Sequence, residues 1–110
     1  MTNDENLIKY NAALLGHWRY ESDKIRFTGW FYNDHEKTQP DGYFEGSFAG
    51  IHLNRDTIDF DYKLYSKYGE YYLQFNKKKY RIKLLERNKQ KARMILVNSW
   101  GKEEAWNWNE

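Results

Sequence analysis

The chain has 110 residues, 19% of them aromatic (10 Tyr, 6 Phe and 5 Trp), no cysteine, and a formal net charge of +2. This length bounds it to one domain with one modest core, and the absence of cysteine excludes thiol catalysis, disulfide staples and Cys-type zinc sites. A hydrophilic chain so rich in Tyr and Trp predicts a core and inner surfaces built from rings that pair apolar bodies with polar tips.

Met1-Thr2-Asn3-Asp4-Glu5 is polar and no apolar run follows. The expectation is therefore a cytoplasmic protein with no signal peptide and no membrane span. Thr2 and Glu5 stand at capping-box spacing, and acidic residues early in a helix suit its dipole. Leu7, Tyr10 and Leu14 form one stripe and Ile8, Ala12 and Leu15 an adjacent one. Gly16 is a natural stop. These signals predict an amphipathic helix over about 3–15.

After Gly16 the hydrophobic period changes to two. His17–Glu21 and 25–33 read as strands. A polar loop, Asp34 to Gln39, follows and closes on Pro40-Asp41-Gly42, a strong turn signal. Residues 43–53 read as a strand in which Phe44, Gly46, Phe48 and Gly50 alternate large and absent side chains. Glycines in such positions mark a bend, a bulge or a close approach. In 57–66, Ile58, Phe60, Tyr62 and Leu64 face one way and Asp59, Asp61 and Lys63 the other. Tyr68-Gly69 turns the chain into 70–76, with Tyr71, Leu73 and Phe75 on one face. Lys77-Lys78 turns it again into 79–87, with Tyr80, Ile82 and Leu84 inward. Residues 91–99 and 103–109 complete the series, the last carrying Trp106 and Trp108 on one face.

About eight strands thus follow one another through short turns, with no βαβ alternation and no repeat. Closing them into a small antiparallel up-and-down barrel hides both edges. The fold class expected is all-β, with the N-terminal helix plugging one mouth. A barrel of this strand number holds either packed side chains or one small ligand.

Gly16-x-Trp18 opening the first strand, after a helix and before a strand meander, resembles the lipocalin-like (calycin) barrels. The tail from Lys78 to Trp108 is similar to the last three strands of small bacterial lipocalin-like domains. The resemblance implies that Trp18 packs across the closed barrel end under a basic side chain from a late strand, with Arg93 as the candidate. The family's arginine on the final strand is not matched, since Trp106 and Trp108 stand there. The 14–33 stretch also resembles the start of phenolic acid decarboxylases, enzymes of this barrel type. That resemblance implies acid–base work by a Tyr–Arg–Glu set such as Tyr20, Arg19 and Glu45.

The leading expectation is non-catalytic binding of a small amphipathic or anionic ligand in an aromatic-lined barrel. Trp30, Tyr43, Phe48, His52, Tyr62, Tyr71, Trp106 and Trp108 are its candidate wall. The competing reading is that the rings simply fill the barrel. Charge suggests a second function class. Residues 1–62 carry a net −5, 63–93 a net +9 and 94–110 a net −2. Lys77, Lys78, Lys79, Arg81 and Lys83 form a surface basic patch suited to an acidic protein partner, as in an inhibitor or immunity-type module. The same bases also suit the solvent faces of two hairpins. Nucleic-acid binding would need Tyr65, Tyr68 and Tyr72 exposed beside those lysines, and no cold-shock or RNA-recognition signature accompanies them. His17, His35 and His52 lack the i, i+2 or i, i+4 spacing of paired ligands. No metal and no cofactor is expected, and no nucleophile or phosphate-loop motif is present.

Overall fold

A computed structural model describes residues 5–23, 26–32, 43–52 and 57–109, with the side chain of His52 left out. Thr2 and the expected 34–42 loop lie outside the described residues. One helix, α1 (Glu5–Leu14), precedes eight strands: β1 (Gly16–Glu21), β2 (Arg26–Tyr32), β3 (Tyr43–His52), β4 (Thr57–Lys67), β5 (Glu70–Phe75), β6 (Lys78–Arg87), β7 (Lys91–Val97) and β8 (Glu103–Asn109). Each strand pairs antiparallel with the next, and β8 returns to β1 to close the barrel. The closing seam is short, with Arg19 opposite Asn107 and Tyr20 opposite Trp106.

Alternation along the strands builds the interior, because successive side chains point to opposite faces. Phe31, Phe48, Tyr62, Leu64, Leu73, Phe75, Met94, Leu96 and Trp106 are buried inside it. The rings meet one another in mid-barrel. Phe31 lies 4.8 Å from Phe48 and 5.3 Å from Phe75, and Phe75 lies 5.9 Å from Trp106, centroid to centroid. Such tilted and edge-on contacts suit the ring quadrupoles. Gly50 makes room for this: a Cβ there would stand 2.6 Å from the Phe48 ring.

The helix lies across one barrel end against β6 and β4. Leu7, Asn11 and Leu14 are its buried residues, so the docking face includes the first expected stripe; of the second, Ile8 and Ala12 are exposed and Leu15, just past the helix, packs against the core. Asn11 is polar yet buried, and its Oδ1 accepts a 3.1 Å hydrogen bond from the Tyr62 hydroxyl. Burial pushes that hydroxyl up to about 12, so it stays protonated and donating.

One expected face is corrected. The ladder between β6 and β7 shifts between Ile82 and Leu84. This bulge inserts a residue and reverses the phase of the strand beyond it. Leu85 is buried where Leu84 was expected, and Arg87 turns to the barrel end. The β5–β6 turn also sits one residue earlier than expected, with Asn76 and Lys77 both at positive φ, 54° and 59°. Among the described residues no helix is long and apolar enough to cross a membrane.

Candidate functional site

The two barrel ends differ in chemistry. At the helix end, Trp18 is fully buried and its Nε1–H donates to the Leu14 carbonyl at 2.7 Å. The Arg87 guanidinium lies 4.9 Å from the Trp18 ring centroid. Its Nε–H donates to the Ala13 carbonyl and an Nη2–H to the His17 carbonyl, both at 2.9 Å. Arg87 thereby caps the Ala13 carbonyl at the helix C-terminus, complements the helix dipole and ties the helix to the start of β1 through His17. Gly16 has φ of 128°, and a Cβ there would stand 2.8 Å from that guanidinium. The Gly16-x-Trp18 pair is thus explained by closure of this end. The expected partner Arg93 is not the one over Trp18. On β7 the inward residues are Ala92, Met94 and Leu96, so Arg93 faces out, 4.0 Å from Glu86.

The opposite end holds a cavity of about 80 Å³. Its floor is made by Phe48, Phe75 and Trp106, and its sides by Phe27 of β2, Phe60 of β4 and Tyr20 of β1. Tyr20 stacks on Trp106 at 5.0 Å and 27°. Four further polar residues join them: Asn76 of the β5–β6 turn, Lys78 and Tyr80 of β6, and Glu104 of β8. Burial raises the Glu104 carboxyl above its ordinary range; the charge of Lys78 and hydrogen bonding from Asn98 and Tyr80 only partly oppose this. Burial also raises the Tyr80 hydroxyl, and the nearby Glu104 raises it further. Tyr20 is raised by the same two causes. The buried Nε1–H of Trp106 has no acceptor within strict hydrogen-bonding geometry, yet it stands close enough to the Glu104 carboxylate to favour its charged form, as Asn98 and Tyr80 do. The site is therefore a ring-lined hollow with one half-buried carboxylate, two hydroxyls held neutral and an indole donor directed toward the carboxylate.

Of the expected wall, Phe48 and Trp106 line this cavity. Tyr62 is buried elsewhere, its hydroxyl given to Asn11. Tyr71 packs edge-on against Tyr10 of the helix. Trp30 is 42% exposed on the outer face, and Trp108 stacks on His17 at 5.0 Å. Tyr43 lies outside under the Lys63 ammonium, 4.3 Å from the ring centroid. These residues do not converge, because strand parity or position along the barrel separates them from the cavity. The side chain of His52 lies outside the described residues. A cavity of a few hundred cubic ångströms would have suited a drug-sized ligand; the mid-barrel rings pack against one another, and the hollow lined by the described residues at this end holds about 80 Å³.

Arg19 and Tyr20 point to opposite faces of β1, and Arg19 and Glu45 are both exposed, so the Tyr–Arg–Glu set is not assembled. In the basic patch, Lys77, Lys79 and Lys83 are exposed and Lys83 pairs with Glu103 at 2.6 Å. Arg81 lies 3.8 Å from Glu70. Lys78 belongs instead to the cavity mouth. Tyr65 and Tyr72 stack on each other at 5.5 Å with Lys79 close to both rings, which occupies faces that a base would need. Among the described residues no group of three or more His, Asp or Glu is placed to hold a metal.

No family model matches the chain, and no curated protein matches it. Among solved structures it is similar to a de novo designed fluorescence-activating β-barrel, with a TM-score of 0.58 and 12% identity over 93% of this chain and 97% of that one. At that identity the likeness concerns the barrel fold.

Proposed function

We propose that this protein is a lipocalin-like binding barrel that takes part of a small amphipathic molecule into the hollow opposite the helix. The observation that carries the reading is the polar cluster of Glu104, Tyr80 and the Trp106 N–H inside a ring-lined cavity. Pockets are mostly apolar with a few convergent polar groups, and packing alone gives no reason to desolvate a carboxylate. The volume sets the scale: the hollow of about 80 Å³ admits a compact head group, with any longer tail at the mouth. Trp18 beneath Arg87 supports the lipocalin-like part of the reading, because that arrangement is what the resemblance implies. The designed barrel of similar fold, a fluorescence-activating one, lends support to the reading.

One observation favours a second reading, a protein partner on the outer face. Tyr43, Tyr65 and Tyr72 stand side by side across β3, β4 and β5, interleaved with Lys63 and Lys79. Tyrosine is enriched at interfaces. Native mass spectrometry of the protein purified from its own host separates the two. The cavity reading expects a bound mass of small-molecule size, lost when Phe60→Trp fills the hollow. A spectrum showing only a protein partner, with no small molecule retained, would overturn it in favour of the second reading.

A further inference from the structure

The hollow has a sign as well as a shape. Its only acidic side chain among the described residues is Glu104, which shares the lining with the rings of Tyr20, Phe60, Phe75 and Trp106. The π faces of such rings are electron-rich and attract cations. Lys78 is the one described base at the mouth; it is exposed, and its flexible four-carbon stem lets the ammonium turn to water. Tyr20 and Tyr80 contribute neutral hydroxyls at neutral pH. An anionic group in this space would meet Glu104 at close range in a medium of low polarity, where like charges repel most strongly.

Resting on the cavity reading, we propose that the group held in the hollow is a compact organic cation, an alkylammonium head, paired with the Glu104 carboxylate and caged by the surrounding rings. The proposal departs from the anionic half of the sequence expectation and keeps its amphipathic half. A quaternary ammonium fits the scale of this hollow, has no N–H donor to satisfy, is balanced in charge by the one carboxylate, and gains from each ring face it touches.

Three probes of matched shape test it: tetramethylammonium, tert-butanol and trimethylacetate, each titrated against the whole protein by calorimetry and by the indole proton resonance of Trp106. The cation is expected to bind at least about tenfold more tightly than either of the others, the scale of one charge-assisted contact with aromatic walls. Glu104→Gln is expected to abolish that preference and leave tert-butanol unchanged. The wild-type protein supplies a second readout that needs no variant. Tetramethylammonium affinity should fall as pH drops through the titration of Glu104, with Lys78 still charged and Tyr20 and Tyr80 still neutral, whereas tert-butanol affinity should not. Binding of tert-butanol or trimethylacetate as tight as that of the cation overturns the cation proposal and leaves the cavity reading standing. Failure of all three to bind overturns both.

Discussion

Replacing Arg87 with Met removes the guanidinium while keeping a long unbranched stem over Trp18. Three contributions are lost. The bond to the Ala13 carbonyl is partly buried, so its loss leaves a helix C-terminal acceptor poorly satisfied, at about 1–2 kcal/mol. The bond to the His17 carbonyl is exposed, so water replaces it at little cost. The guanidinium over the fully buried Trp18 ring adds about 0.5–1 kcal/mol. The sum is about 1.5–3 kcal/mol, and a domain near this size loses roughly 4–8 °C of Tm per kcal/mol. Urea unfolding followed by Trp fluorescence measures it directly. Arg93→Met is the control, since Arg93 holds only an exposed contact with Glu86 at 4.0 Å, and such pairs contribute less than about 1 kcal/mol. Arg87→Lys should recover less than half of the loss, because an ammonium cannot reach both carbonyls and lie flat on the ring. Equal costs for Arg87→Met and Arg93→Met would refute the account of the closed end, and with it the phase reversal at the β6 bulge that places Arg87 there.

Two further outcomes follow from the same structure. Burial raises the Glu104 carboxyl above the ordinary 4.5, so the folded state holds a proton that the unfolded chain has already released. Stability from this group therefore declines as pH rises from about 4.5 and levels off above the raised value; the difference in unfolding free energy between wild type and Glu104→Gln should grow in favour of the variant across that window, and a flat difference from pH 4 to 8 would contradict it. In the β5–β6 turn, Asn76 and Lys77 both hold left-handed backbone, the type I′ geometry that prefers Asn-Gly. Lys77→Gly should stabilise the protein by about 0.5–1 kcal/mol, and a loss of stability in thermal melts would show that the lysine side chain contributes something the turn geometry does not reveal.

The fold was legible because period-two alternation and turn chemistry agreed along most of the chain. Thr57–Lys67 and Glu103–Asn109 follow the expected spans closely, and β8 returns to β1 as edge hiding requires. The β6 bulge was less legible. Its trace in the sequence is Leu84-Leu85, two adjacent apolar residues where alternation demands one, and a register shift is what such a pair signals. Missing it moves Arg87 to the wrong face, and Arg93 is then the nearest late-strand base to take its place. The cavity had a trace too. Glu104 shares strand parity with Trp106, so an acid stood on the apolar face of β8. Lys78 shares parity with Tyr80 in the same way, once the turn is placed at Asn76-Lys77. Aromatic content by itself misled, because rings are equally good at filling a barrel and at lining one. Only position along the axis separates Tyr62, locked to the helix by Asn11, from Trp106, which faces the hollow.

The contrast between the ends bears on why the polar cluster exists. At the helix end the buried polar groups meet: the indole of Trp18 with a carbonyl, Arg87 with two, Tyr62 with Asn11. At the other end a carboxylate is half withdrawn from water and a buried indole donor has no acceptor within strict hydrogen-bonding geometry. Apolar side chains of the same volume would make that end more stable, since incompletely satisfied buried polar groups cost free energy that a hydrophobic replacement does not. The gain predicted for Glu104→Gln at neutral pH is the measurable form of that statement. Departures from folding consistency of this kind concentrate at functional sites. A variant that is more stable and has lost its discrimination among the three matched probes would show that Glu104 is retained for binding, at the expense of the barrel that carries it.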